Sequence, residues 1–304
     1  MSLSGHAPDA TGSVDYRGFH TWYRVTGQLD PGAERAPLVV LHGGPGVPHN
    51  YCLAMTDLAG DGRAVVHYDQ LGCGNSTHLP EEGADFWTVD LFVAELRNIV
   101  DVLGIGGRFH LLGQSWGGML GPEFMVADGA GVQSLTICDS PASMPLWLEA
   151  ATTLRARLPP GIQETLNRHE AAGTTDSPEY QAAVNVFYER HVCRVVPFPQ
   201  DVVDSFAALE TDPTVYHTMN GPSEFHVIGT LKDWSIVERL DQITVPTLVV
   251  AGAHDEAMPF VWQPFIDRIA GARSHVFPSS SHMPHVEERE DFTAVVGAFL
   301  REHD

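Results

Sequence analysis

Apolar positions along this 304-residue chain follow two rhythms that alternate over most of its length. One is the short continuous run, seen at Pro37–Leu41, Ala64–Tyr68, Phe109–Leu112, Val132–Cys138 and Val245–Val250, with a last short piece at Ser274–Phe277. Runs of this kind, bounded by glycine and polar turns, predict strands of a parallel sheet buried on both faces. The other rhythm is helical. Trp87–Leu103 shows it most clearly, with Phe92, Leu96, Ile99, Val100 and Leu103 on one face and Gly104 placed to end it. Asn50–Ala59, Met119–Ala127, Val261–Ala270 and Val286–Arg301 also predict helices. Nearer the start, Ser13–Phe19 and His20–Thr26 predict an antiparallel hairpin, preceded by a small, polar tail over residues 1–12 and followed by a loop, Gln28–Ala36, centred on Pro31-Gly32. Strands alternating with helices predict an α/β protein: a mostly parallel sheet with helices on both faces.

The alternation breaks once. Between residues 141 and 226 there are helical stretches (Leu146–Leu158, Ile162–Ala172, Glu179–Cys193 and Gln200–Leu209) and no convincing core strand. This pattern predicts a sheet domain made of residues 1–140 and 227–304, with residues 141–226 inserted as a helical lid. A chain of this length accommodates one large domain with such an insertion.

Composition narrows the partners more than the fold. With 43% apolar and 18% charged residues, the chain has the balance of a soluble globular protein. A formal charge of −22 argues against nucleic acid and anionic membrane as partners and favours neutral or cationic small molecules. The residues Met1–Pro8 show no basic segment followed by an apolar core, so no secretory signal is expected, and no apolar run has the length of a membrane span. Cys52, Cys73, Cys138 and Cys193 are widely spaced and form no Cys-x-x-Cys pair, which predicts free thiols in a reducing cytoplasm and no metal site. Oligomeric state is not legible at this level.

The chemistry gathers at loops that follow predicted strands. Gly113-Gln114-Ser115-Trp116-Gly117 lies between the run Phe109–Leu112 and a predicted helix, the setting of a nucleophile elbow. A serine held in a strained strand-to-helix turn has its hydroxyl raised clear of the sheet, and the next amide, that of Trp116, sits at a helix N-terminus suited to an oxyanion. His42-Gly43-Gly44-Pro45-Gly46 follows the strand Pro37–Leu41, so Gly44 is the candidate for a second oxyanion amide. An activated serine needs a base and an acid, in the chain order Ser, Asp or Glu, His. The loop Ala251–Glu256 offers two adjacent carboxylates, Asp255 and Glu256, and the loop Pro278–His282 offers a histidine. His285 is a rival, but Pro284 is placed to start a helix and would draw His285 into its first turn. Asp241 and Asp267 lie before the strand and on the following helix, and His42, His67, His110 and His254 suit structural hydrogen bonds better than catalysis.

These residues resemble the proline iminopeptidase and L-amino-acid amidase family of α/β-hydrolases. The resemblance is carried by His42-Gly43-Gly44-Pro45-Gly46, Asp69-Gln70-Leu71-Gly72-Cys73-Gly74, Gly113-Gln114-Ser115-Trp116-Gly117-Gly118, Gly221-Pro222-Ser223-Glu224-Phe225 and Asp255-Glu256. It implies an α/β-hydrolase fold with an inserted lid, Ser115 as nucleophile, Asp255 as acid, His282 as base, and oxyanion amides from Gly44 and Trp116. It further implies that Glu224 and Glu256 hold the free α-amino group of a substrate, with no cofactor and no metal. At Leu71 many iminopeptidases have arginine, which leaves amidase beside peptidase. An esterase, lactonase or acyl-transferring enzyme of a biosynthetic pathway is the alternative on the same triad, and a non-catalytic small-molecule receptor is another. An epoxide hydrolase or dehalogenase would be expected to carry aspartate where this chain has Ser115.

Overall fold

The computed structural model describes residues 6–30 and 32–304; residues 1–5 of the expected tail and Pro31 of the expected turn lie outside the described residues. Among the described residues one sheet of eight strands organises the fold. In chain order these are β1 (Ala10–Tyr16), β2 (Phe19–Thr26), β3 (Leu38–Leu41), β4 (Val65–Tyr68), β5 (Phe109–Gln114), β6 (Val132–Cys138), β7 (Thr247–Gly252) and β8 (Arg273–Phe277). Their spatial order is β1-β2-β4-β3-β5-β6-β7-β8. The pairs β1/β2 and β2/β4 are antiparallel, and every later neighbour is parallel. A tight turn at Arg17-Gly18, both at positive φ, closes the β1–β2 hairpin, as the twist of paired strands favours.

Strands β3, β4, β5 and β7 are buried along their whole length, which is why their sequences are mostly apolar rather than alternating. Alternate side chains face opposite ways. Val39, Leu41 and Leu111 pack on one face with helix α1 (Val89–Val102) and helix α2 (Trp116–Ala127), through Phe92, Leu96, Leu120 and Phe124. Leu38, Val40 and Leu112 pack on the other, against Tyr51, Met55 and the closing helix residues Phe292 and Val296. Thr88 caps α1 by accepting the amide of Leu91.

Five helices lie between β6 and β7: α3 (Met144–Arg155), α4 (Pro160–Ala172), α5 (Pro178–His191), α6 (Gln200–Thr211) and α7 (Thr214–Met219). Leu154, Leu166, Tyr180, Phe187 and Phe225 form an apolar cluster of their own there. After β7 come α8 (Pro259–Arg268), α9 (Pro284–Glu287) and α10 (Arg289–Glu302). No helix among the described residues is long and apolar enough to cross a membrane, and the four cysteines are buried and free.

Four local expectations need correction. The tail is shorter than its polarity suggests: β1 already begins at Ala10, paired with Val25, and this exposed edge strand needs no apolar residues at its start. The helix expected over Asn50–Ala59 is a 3₁₀ helix, His49–Asp61. The closing helix expected over Val286–Arg301 is two helices broken at Glu288, whose φ of −127° and ψ of 52° are not helical. Finally, α7 and a short 3₁₀ helix, Val237–Gln242, were not expected.

Candidate active site

Ser115 follows β5 directly and caps α2 at φ 55° and ψ −120°, a conformation rarely adopted by a residue with a side chain. Two glycines make the turn possible. A Cβ at 113 would lie 2.0 Å from the Gly117 carbonyl oxygen, and one at 117 would lie 2.1 Å from the Leu41 carbonyl oxygen of β3. The Ser115 amide donates to the Cys138 carbonyl at 2.9 Å, and its own carbonyl accepts from Gly118 N and from Ser140 Oγ, both at 2.8 Å. The elbow is thus tied to the ends of its neighbouring strands. Trp116, as the first residue of α2, has an amide with no carbonyl one turn back to accept it. Gly44, at φ 108°, lines the same two small cavities as Ser115, of about 20 and about 10 Å³.

The loop that carries Gly44 is fastened by the Asp69–Asn75 segment. The amide of Gln70 donates to His42 Nε2 at 2.9 Å, and His42 Nδ1 bonds the Gly43 carbonyl at 3.0 Å. With both ring nitrogens so used and the ring fully buried, the pKa of His42 is lowered to about 4, burial being the main cause, and the imidazole stays neutral. Gln70 Oε1 accepts the indole N–H of Trp116 at 2.8 Å, so one side chain spans both candidate oxyanion loops. Asp69 accepts from His49 N and Asn75 N, each at 2.9 Å, and pairs with His49 Nδ1 at 2.7 Å. Burial would raise its pKa, but the contacts with His49 outweigh that and bring it to about 2. His42, Asp69 and Cys73 place ligand-type atoms within 4.8 Å of one another, yet the His42 nitrogens and the Asp69 oxygens are already engaged, which argues against a metal there.

Asp255 and Glu256 stand in the loop after β7, and His282 in the loop after β8. Asp255 Oδ1 bonds His282 Nδ1 at 2.8 Å and accepts the amide of Ala257 at 3.0 Å. That leaves Nε2 as the free ring nitrogen of His282, which lines one cavity together with Ser115, Gly44 and Glu224. Burial alone would lower the pKa of His282; the charge and hydrogen bond of Asp255, then Glu224 and Glu287, raise it above the ordinary histidine value. Ser115 is 9% exposed, Asp255 and His282 4% each, and Glu256 2%.

Sequence reasoning missed the side chains that hold this loop. Glu287 Oε1 accepts from Ser281 N at 3.0 Å and Ser281 Oγ at 2.8 Å, while Glu288 Oε2 accepts from Ser279 N at 2.9 Å and Ser280 Oγ at 2.6 Å. Gln114 is the other missed link. Its Nε2 donates to the His282 carbonyl at 2.9 Å, its Oε1 accepts the Tyr51 hydroxyl at 2.5 Å, and that hydroxyl accepts the Gly43 amide at 2.6 Å. The Ser281-Glu287 and Ser280-Glu288 spacings could have suggested a capped loop; nothing in the pattern pointed to Tyr51. His285 lies apart from the cavity, fully buried, with Nε2 at 3.2 Å from the Tyr51 carbonyl and its pKa lowered to about 3 by burial.

Glu224, in the loop after α7, lines both small cavities and a larger one of about 470 Å³ bounded by α5, α6 and α7. Tyr216 donates its hydroxyl to Glu224 Oε1 at 2.6 Å, and the Trp147 indole donates to the Glu224 carbonyl at 2.7 Å. Glu256 comes near through His282: its Oε1 is 3.9 Å from His282 Nε2 and has no hydrogen-bond partner among the described residues. Burial raises the pKa of both carboxyls, and Glu256 is pushed further by the charges of Glu224 and Asp255. Leu71, the point of departure from the iminopeptidase motif, is fully buried in the core, with its amide on Glu95 Oε1 at 3.0 Å.

The chain belongs to the α/β-hydrolase fold family, whose model matches residues 36–289. Within it, the chain stands with the proline iminopeptidases. The proline iminopeptidase of Heyndrickxia coagulans is 37% identical over 273 residues, covering 90% of this chain and 93% of that one. That of Thermoplasma volcanium is 34% identical over 292 residues, covering 96% and 97%. Among solved structures, VinJ matches with a TM-score of 0.96 and 53% identity over 98% of this chain and 100% of that one. The proline iminopeptidase of Mycobacterium smegmatis matches with a TM-score of 0.89 and 56% identity, covering 97% and 98%.

Proposed function

We propose that this protein is a serine hydrolase that cleaves the amide bond following a free N-terminal amino acid, as a proline iminopeptidase or L-amino-acid amidase does. The observation that carries the amine requirement is the pair of carboxyls at this site: half-buried Glu224, which lines the Ser115–His282 cavity, and buried Glu256, whose Oε1 lies 3.9 Å from His282 Nε2 with no hydrogen-bond partner among the described residues. A cation placed between them would relieve the cost of burying both. A substrate's α-ammonium, largely protonated below a pKa of roughly 8, supplies one.

In this reading Ser115 Oγ attacks the carbonyl carbon while His282 Nε2 takes its proton, and Asp255 steadies the imidazolium through Nδ1. The oxyanion is met by the amides of Gly44 and Trp116. His282 returns the proton to the departing amine, leaving an aminoacyl ester on Ser115. Water, deprotonated by the same Nε2, then releases the amino acid and restores the serine.

We further propose that residues 1–140 and 227–304 act as the hydrolase core and residues 141–226 as a lid that contributes Glu224 and the walls of the larger cavity. A small amine-bearing molecule is the proposed partner, with no role for nucleic acid, membrane, cofactor or metal. The buried free thiols favour a cytoplasmic setting. The test is a panel of aminoacyl anilides, each with a free and an acetylated amine. Preference for the free amine by at least about 30-fold in kcat/KM supports the reading. Equal use of both overturns it and favours an esterase or acyl-transferring enzyme.

A further inference from the structure

Asp139 is the first residue beyond β6, and nothing in its sequence setting singles it out. Among the described residues it is one of three non-glycine positions at positive φ, the others being Arg17 in the hairpin turn and Ser115 itself. It is fully buried. Because β6 lies between β5 and β7, Asp139 sits between the elbow and the loop that carries Asp255. Its amide donates to the Val250 carbonyl at 2.8 Å, and its Oδ1 accepts the Gly252 amide at 3.1 Å. Its neighbours Cys138 and Ser140 hold the backbone of Ser115.

The remaining oxygen, Oδ2, is buried and has no donor among the described residues. The same holds for Oδ2 of Asp255, whose Oδ1 is occupied by His282 Nδ1 and the Ala257 amide. The two carboxyl groups are in side-chain contact. Two ionised carboxylates facing each other in a dry site would leave both oxygens unsatisfied and two like charges unscreened. One proton between them removes both costs.

We propose that Asp139 is a positioning residue that stays protonated, its Oδ2–H donating to Oδ2 of Asp255 so that the other oxygen of Asp255 is held on His282 Nδ1. The proton belongs on Asp139 for a geometric reason. Asp255 already accepts two N–H groups, one from a ring that becomes cationic in the reaction, whereas Asp139 accepts a single amide. Electrostatics agree: burial first, then the charge and contact of Asp255 and the charge of Glu287, raise the pKa of Asp139 far above the ordinary carboxyl range, against the opposing Gly252 amide. Held in this way, Asp255 cannot rotate away from His282. The backbone of Asp139 is held at φ 52°, a conformation that costs free energy for a residue with a side chain.

This inference rests on Asp255 and His282 acting as proposed above, and the test separates the two. Kinetic constants on a free-amine aminoacyl anilide are measured for Asp139→Asn, Asp139→Gly and Asp255→Asn, with circular dichroism and melting curves for each. Asparagine keeps an oxygen for the Gly252 amide and an N–H for Asp255, and tolerates positive φ; glycine tolerates the φ but removes the donor. Asp139→Asn is expected to keep kcat within about threefold of wild type, and Asp139→Gly to lose about 10- to 100-fold in kcat with little change in KM. Wild-type kcat in folded Asp139→Gly, or an equal loss in folded Asp139→Asn, overturns the role of Asp139. If Asp139→Gly does not fold, Asp139→Ser, too short to reach Asp255, takes its place with the same expected loss. An active Asp255→Asn overturns the triad reading instead.

Discussion

Replacing Glu224 by glutamine isolates the charge of the proposed amine site. The amide keeps the size of the side chain and an Oε1 that can still accept the Tyr216 hydroxyl, now at 2.6 Å, so the loop after α7 should hold its place. What is lost is the charge facing the substrate's ammonium. Removing one partner of a desolvated charged contact costs about 2–5 kcal/mol. Here Glu256 remains near His282 as a second carboxyl, so the lower part of that range applies: about 2–3.5 kcal/mol, or about 30- to 350-fold in kcat/KM on a free-amine anilide. Hydrolysis of a small neutral activated ester, which makes no use of the ammonium contact, should stay within about threefold of wild type. The pH sign follows from the free protein. Burial and the charges of Glu224 and Asp255 raise the pKa of Glu256 in the free protein, and a cation bound beside it would lower that pKa again. Binding an amine therefore releases a proton, and affinity should rise with pH until the amine itself deprotonates at roughly 8. Calorimetry of a non-hydrolysable amino alcohol, in two buffers of different ionisation enthalpy, measures that release. Equal losses on anilide and ester, together with no proton release, would refute the assignment.

Three further outcomes are expected. Ser115→Ala and His282→Ala should each lose several orders of magnitude in kcat on the anilide while melting like wild type, since members of a triad act as a unit. His285→Ala should lose less than about tenfold in kcat but melt earlier, because it removes a buried ring bonded to the Tyr51 carbonyl and packed on Phe292; a loss matching that of His282→Ala would leave the base misassigned. Glu95 offers a stability test outside the proposed triad: burial drives its pKa to about 8 in the folded protein, despite the bonds it accepts from Thr21 and Leu71. The folded state then binds a proton that the unfolded state has released, so stability falls as pH rises from about 4.5 to about 8. Glu95→Gln, which cannot ionise, should melt higher than wild type at pH 9 and no higher at pH 5; the reverse order contradicts the burial argument.

Much of the fold was legible because its central strands are buried on both faces. That burial writes β3, β4, β5 and β7 into the sequence as mostly apolar runs, broken by the polar side chains of His67, His110, Gln114 and Thr247, and the glycines of the elbow follow from contacts too close for any Cβ. Elements held by tertiary contacts were not legible. The edge strand β1 starts with exposed Ala10 and Thr11, so its pairing left no apolar trace. The break at Glu288 exists because its carboxylate reaches back to Ser279 and Ser280, an arrangement that no helical period records. At the candidate site, Ser115, Asp255 and His282 stand out in the sequence because each follows a strand end in the order the fold requires. The parts played by Tyr51, Gln114 and Asp139 were not legible, because their partners lie far away in sequence, and Glu287 left only its spacing from Ser281 as a sign.

The claim that joins these residues is that Ser115 is a nucleophile that serves substrates with a free α-amine. One measurement reaches both halves: the rate of covalent labelling by an α-aminoalkyl diphenyl phosphonate, offered as the free amine and as its N-acetyl form, followed by intact mass and peptide mapping. The free-amine reagent should add one phosphonyl group per chain, mapped to Ser115, at least about 30-fold faster than the acetylated reagent. Labelling at another residue, or equal rates for the two reagents, would contradict the account.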